Sequence, residues 1–567
     1  GKTKSKKIVK LTALAGAVIS VAGTVQAASE LGSSSITIKS DNPTANELTT
    51  GKNNINIGTG ANTFRNDGNN VVSHDAIAIG TNATGKGDAS VAIGNASSAP
   101  TQASIAVGNG ATALKTESIA IGKGATSNND LDIAIGRDAK SKGGQTVSLG
   151  SDAKTDGQAA VAIGRQANAT ANAAVAIGSD ANASAQNTVA VGIAAKATNQ
   201  RGVAVGTYSE ATADNTVAVG GFSKAQAEKA TAVGILSNAS GVASFAGGAS
   251  AQAVGSNSVA IGGNQASSFS DFSAATTAQG DKSIAVGYKA KAEGFSTIAQ
   301  GNNATSKQQS DIAIGTNAAA NGTDTPAGSS DAQNSGTAIS IGANSVATGV
   351  ATTSLGQAAQ ATQNGAVAVG SLANATNKAA AALGRNSNAS GESSTALGSG
   401  AKAQGKYSFA GSVNATASGI ESIAIGRDAE ARANDSISQG LSSSAHKESD
   451  IAIGTSSVAN GTRKSKTSCD TSPSAASKGM TCDDGTAIAV GKDANATGYS
   501  TIAVGKNATA SYDDATAIGT YSNATHDKST AIGPAASALN IGAFAGGFNA
   551  TASGKDSLAL GTDAQST

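Results

Sequence analysis

Three histidines, two cysteines and scattered carboxylates are the residues of this 567-residue chain with the means to do chemistry. His74, His446 and His526 each stand alone, with no cysteine or second histidine at the close spacing a metal centre uses. Exposed polar turn positions account for them, and no metal site or cofactor is expected. No Ser/His/Asp arrangement stands out, and no catalytic residue is expected. Cys469 and Cys482 lie thirteen residues apart and are the chain's only cysteines. In an exported protein they pair as a disulfide, closing a short loop at a gain of about 3 kcal/mol. Free or interchain thiols are the alternative.

The element that must position everything else is five residues long. Ser90-Val91-Ala92-Ile93-Gly94 returns with small changes, and its closing glycine recurs every fourteen residues from Gly80 to Gly262. A fixed short period indicates a solenoid. In the coil Val161 to Ala171, Val161 and Ile163 point to one face and Ala162 to the other. Gly164 turns the chain. Ala167, Ala169 and Ala171 share the inner face of a second strand, while Asn168 and Thr170 look outward. A second glycine seven residues on, as at Gly157, Gly241 and Gly391, marks the second turn. Two short strands and two turns in fourteen residues make one coil of a β-solenoid, an all-β fold.

Composition agrees. The chain is 39% hydrophobic, mostly alanine and valine, with no tryptophan and 3% aromatics, so no wide core can be filled. One coil buries too little apolar surface to stand as a lone thread, so lateral association of several chains through the Val/Ile face is expected. Lys2, Lys4, Lys6, Lys7 and Lys10 precede an apolar run from Leu11 to Val25, and Val25-Gln26-Ala27 fits a small-x-small cleavage site. Residues 1–27 are therefore expected to be a signal peptide. Losing those five lysines leaves 34 basic against 38 acidic residues, a formal charge of −4, which argues against a nucleic-acid partner or an anionic membrane surface.

Residues 28–75 break the period, with Ile55-Asn56-Ile57-Gly58 a weak first coil, and are expected to cap the solenoid's open strand edge. Residues 76–567 are the repeat domain. Three insertions interrupt it, near 263–283, 323–337 and 462–486. Such loops are often where binding is placed, and Phe269, Phe272, Pro326, Cys469 and Cys482 are the candidate ligand-binding residues. Phe269 and Phe272 are an exposed aromatic pair or belong to a loop folded back on the coil. The last two insertions follow Asn321-Gly322-Thr323 and Asn460-Gly461-Thr462, each preceded by an Asp-Ile-Ala-Ile-Gly strand, which points to a longer internal duplication.

Two substitution patterns bear on packing. Phe245, Phe409 and Phe544 take the Val position, and each time the Ile position becomes glycine: Gly247, Gly411, Gly546. Large and small trading volume implies that these positions face a core. Gln300 and Gln439 occupy the Ile position, with Gln279 as a third case. If that face lines a symmetry axis, they form a core-facing polar layer that fixes register; an ion site is the alternative. Lys86-Gly87-Asp88 has the letters of an integrin-binding tripeptide, a match that chance explains. Asn168, Asn182, Asn238, Asn374, Asn388, Asn495 and Asn523 stand in Asn-Ala-Ser/Thr, and outward-facing polar filler explains them. The first outward positions after the closing glycine carry mixed Ser, Thr, Asn, Asp, Arg and Lys, not the carboxylate cluster a polysaccharide-cleaving solenoid needs.

Thr188-Val189-Ala190-Val191-Gly192 and Ser422-Ile423-Ala424-Ile425-Gly426 resemble the head repeat of the trimeric autotransporter adhesins of Gram-negative bacteria, typified by the Yersinia adhesin YadA. The resemblance covers roughly residues 76 to 561. It implies a left-handed parallel β-roll from each chain, three rolls packed as a homotrimer, and a fibre tip that binds a host matrix protein (collagen, fibronectin or laminin) or a cell-surface receptor. It also implies export to the bacterial surface and outer-membrane anchoring. The family's neck, coiled-coil stalk and C-terminal membrane anchor find no counterpart before Thr567, so a head fragment, or a product cut before its anchor, is expected. The expected function is adhesion without catalysis, by multivalent trimeric display. The alternative is a structural spacer in a surface fibre.

Overall fold

The computed structural model describes residues 53–64, 73–263, 275–322, 337–462 and 485–567, together with the backbone of 25–28 and 35–38. All regular structure in it is β. The chain divides into two compact units, Gly1–Ala253 and Val254–Thr567.

In the first unit each coil contributes one three-residue strand and one two-residue strand, and each kind forms its own parallel stack. Val161–Ile163 pairs in register with Val175–Ile177, so valine faces valine, alanine faces alanine and isoleucine faces isoleucine. Asn168–Ala169 pairs with Asn182–Ala183 in the second stack. Ahead of the regular coils, Val25–Ala28 runs antiparallel to Ser35–Ile38, which pairs in parallel with Ile55–Ile57, itself paired with Ile77–Ile79.

The interior is alanine. Ala160, Ala162, Ala167, Ala169 and Ala174 are all fully buried, whereas Val161 and Ile163 lie half-buried on the outside of the same strand. The small cross-section explains this: two strands separated by two tight turns leave room for small side chains, mostly alanine with serine and threonine among them. The expected alternation therefore holds, with one correction. The second strand ends at Ala169, and Ala171 is half-buried in the turn beyond it instead of in the interior.

The turns obey a shorter rule than the sequence reading found. A left-handed residue recurs every seventh position and is mostly not glycine: Ala159, Gln166, Ala173 and Asp180 have φ of 55°, 56°, 54° and 60°. Gly157 itself is not left-handed; the left-handed residue of the second turn is Ala159, two positions later. The turn backbone continues the ladder, since the Gln166 amide donates to the Ser151 carbonyl and the Ala173 amide to the Gln158 carbonyl, each at 2.8 Å.

The second unit repeats the scheme, from Val259–Ile261 to Leu558–Leu560 in one stack and from Thr277–Ala278 to Gln565–Ser566 in the other. Its interior is again a run of alanines, for example Ala359 to Ala431. Pairing resumes in register across both later insertions: Ile312 faces Ile339 and Ile451 faces Ile488.

Candidate interaction surfaces

Because alanine fills the interior, the large aliphatic side chains are displaced to the outside of the first strand. In the first unit Ile121, Leu149, Ile177, Val233 and Phe245 are exposed on this face; in the second unit Ile284, Leu355, Leu397, Ile425, Ile518, Ile532 and Leu558 are. Each unit thus carries an aliphatic stripe. The face of the second strand is polar: Lys140, Lys154, Asn168, Asn182, Lys196, Glu210, Lys224 and Asn238 follow one another. Glu210 lies between two lysines, 3.5 Å from Lys196 Nζ and 3.7 Å from Lys224 Nζ. Such exposed pairs contribute little stability, so this face is solvated.

The Phe/Gly exchanges sit on the aliphatic stripe and not in the chain's own interior. Phe245 is 36% exposed. The reason for the exchange is local: the ring folds along its own strand, so that a Cβ on Gly247 would stand 2.7 Å from the ring, and the same geometry recurs for Phe409 over Gly411. Gln300 and Gln439 are exposed on this stripe, Gln300 between Val286 and Ile314, Gln439 between Ile425 and Ile453. Gln279 is no third case. It follows the second strand, its amide bonded to the Ala292 carbonyl.

A second surface escaped the sequence reading. At the two positions after the closing glycine, Lys123-Gly124, Arg137-Asp138 and Arg165-Gln166 give way to Ile193-Ala194, Thr207-Tyr208, Gly221-Phe222 and Ile235-Leu236. Ile193, Tyr208, Phe222 and Ile235 are all exposed, and the rings of Tyr208 and Phe222 stack at 5.1 Å. The signal was present at fixed spacing, and the positions after the glycine are therefore not uniformly polar.

The histidines remain apart. His74 lies beside Asp88, His446 accepts or shares a hydrogen bond with Ser444 Oγ at 2.9 Å, and His526 stacks on Tyr512 at 5.6 Å. Burial pulls the His446 imidazole below its ordinary value. Among the described residues no group of three potential ligands gathers for a metal. Asp88 of the Lys86-Gly87-Asp88 tripeptide is engaged in the turn, accepting from the His74 amide at 2.8 Å. Phe269, Phe272, Pro326, Cys469 and Cys482 lie outside the described residues.

The repeat matches the family described as the YadA head domain repeat. The matched segments cover 73–99 and 102–125, a near-continuous series across 156–264, overlapping segments over 274–325, then 347–373, 375–410, 417–440, 445–463 and a near-continuous series across 486–564, more than half of the chain. The chain belongs to the YadA head family. Comparison with curated proteins returned no match. YadA-type heads belong to surface-exposed adhesins of the trimeric autotransporter type, a non-enzymatic class.

Proposed function

We propose that this chain forms the head of a homotrimeric surface adhesin, in which three aliphatic stripes close against one another and the remaining surfaces meet a host matrix protein or cell-surface receptor. The observation that carries the reading is the stripe itself. A soluble monomer rarely exposes a contiguous apolar surface of more than a few hundred Å², yet valine, isoleucine or leucine stands outward on coil after coil here while the opposite strand is polar. Closed threefold packing would bury it and supply the association that an alanine interior cannot. Gln300 and Gln439 would then meet their symmetry mates as a polar layer. Three copies of each weak contact surface would raise avidity without one strong site. The inserted loops with Phe269, Phe272, Pro326 and a Cys469–Cys482 disulfide are the proposed source of specificity. Export would proceed by cleavage after Ala27.

The test is binding of residues 28–567 to immobilised collagen, fibronectin and laminin and to human cells. Saturable binding that weakens on deletion of residues 464–484 is expected. A trimer that binds none of them would mark the chain as a spacer instead.

A further inference from the structure

Four buried side chains occupy one position of the coil, immediately ahead of the first strand, where alanine, serine or threonine is the rule. They are Asn54, Asp132, Asp311 and Asp450, between 0% and 2% exposed. The carboxylate of Asp311 accepts from the Gln308 amide at 2.8 Å, the Gly322 amide at 3.0 Å and the Ala338 amide at 2.8 Å. Asp450 repeats the arrangement, with the Lys447 amide at 2.8 Å, Gly461 at 3.0 Å and Ala487 at 2.8 Å.

The partners decide what this does. Gly322 and Ala338 are the feet of one inserted loop, and Gly461 and Ala487 stand at the feet of the other. In coils such as those at Ser104 and Ser118, the amide ahead of the first strand is held by the carbonyl three residues back. Where the chain returns from an excursion, that amide donates to the carboxylate of the preceding coil. It does so over separations of 27 and 37 residues in place of the usual fourteen. Asn54 does the same over 22 residues: its Oδ1 accepts from the Ala76 amide at 2.9 Å, and its Nδ2 donates to the Ser73 carbonyl at 2.9 Å. A Cβ at Gly461 would collide with the Gly485 carbonyl of the next coil, as one at Gly405 would with Gly419, and would also come within 2.9 Å of the Asp450 carboxylate.

Asp132 occupies the same position with no excursion, and it lacks the bond from the second-turn glycine amide. It accepts from the Asn129 amide at 3.0 Å, the Thr146 amide at 3.0 Å and the Thr146 hydroxyl at 2.6 Å, with a separation of fourteen residues. Its coil carries the same Asp-Ile-Ala-Ile-Gly-x6-Gly pattern, ending on Gly143 as the others end on Gly322 and Gly461. The family matches also break here, stopping at 125 and resuming at 156, as they stop at 325 and 463 and resume at 347 and 486.

We infer that this buried side chain is the device by which the solenoid releases its chain at the second turn and recaptures it in register, and that Asp132 makes Gly143–Gly144 a further port of the same kind, ready to carry a projecting segment. The inference stands whether or not the head binds a host protein.

Two experiments on the full chain test it. In Asp450→Ala, hydrogen exchange at Gly461 and Ala487 should rise about tenfold or more, the equivalent of one hydrogen bond to a charged group, while coils around Thr516–Ile518 keep their protection. Asp450→Asn, which keeps one acceptor oxygen as Asn54 does, should rise less. Unchanged exchange at those two amides, or an equal rise throughout the unit, would overturn the assignment. A ten-residue Gly/Ser segment inserted after Gly143 should leave the exchange of the following strand, Val147–Leu149, unchanged, and the same segment after Gly157, where no buried carboxylate faces the turn, should increase that of Val161–Ile163. In an Asp132→Ala background the first insertion should become as disruptive as the second. Equal effects of the two insertions in the otherwise unaltered chain would refute the port.

Discussion

A glycine closes nearly every first strand, Ser412 being an exception, because two demands meet at one Cα. Gly164 has φ of 133°, and a Cβ there would stand 2.4 Å from the carbonyl oxygen of Gly178. Gly164→Ala should therefore cost about 1–3 kcal/mol from backbone strain alone, and more from the clash with the next coil. The opposite change is expected at Ala173, which already sits at φ 54°. Ala173→Gly removes a left-handed penalty of about 1–2 kcal/mol, partly offset by chain entropy, and should raise the urea midpoint. Burial lifts the carboxyls of Asp311 and Asp450 above their ordinary value of 3.8, against the pull of their backbone donors. A raised value means that the fold holds the proton more tightly than the unfolded chain does. Their contribution to stability is thus fullest below about pH 4 and is lost as pH rises through the raised values. Urea unfolding of the native chain and Asp311→Asn should show the difference shifting towards the variant as pH rises above about 4; a constant difference would contradict it. The sequence displayed the glycine but hid the left-handed alanines, because alanine has no propensity that would mark such a turn.

At the scale of the strand, the Phe/Gly pairs explain themselves without a closed core. Gly411→Ile should collide with the Phe409 ring and destabilise by about 1–3 kcal/mol, whereas Phe409→Val with Gly411→Ile restores the common repeat and should recover most of the loss. A double-mutant cycle measured by urea unfolding checks this, and additive effects would contradict it. Alternation and register were legible here, since a fourteen-residue count puts like residues on like, as in Val161 opposite Val175. What was not legible is instructive. The Asp-Ile-Ala-Ile-Gly strands signalled a duplication, but the partners of Asp311 and Asp450 lie 27 and 37 residues on. The excursions stretch the count by which every other contact was found. Gln279 was misplaced for a related reason: the insertion after Gly262 shifts the count, and Gly280, a second-turn glycine, follows Gln279 as a closing glycine would.

At the scale of the molecule, the composition already stated the problem. An alanine interior in each unit buries little, and the aliphatic side chains that could bury more face outward. The fold was legible because the repeat is regular; the apolar edge at Ile193, Tyr208, Phe222 and Ile235 was not, because a pattern is read through its consensus and this edge is a departure from it. If the stripe is the contact between chains, a charge in its middle should separate them: Val203→Lys together with Val217→Lys, paired on neighbouring strands, would place like charges without counter-ions in a dry interface, at several kcal/mol each. The same pair on the polar face, Asn168→Lys with Asn182→Lys, should leave the assembly intact. The most direct measurement is the mass of residues 28–567 in solution at micromolar concentration, by light scattering. Three chain masses, falling to one in the stripe variant, is the expected result; a single chain mass for the unaltered protein would contradict the account.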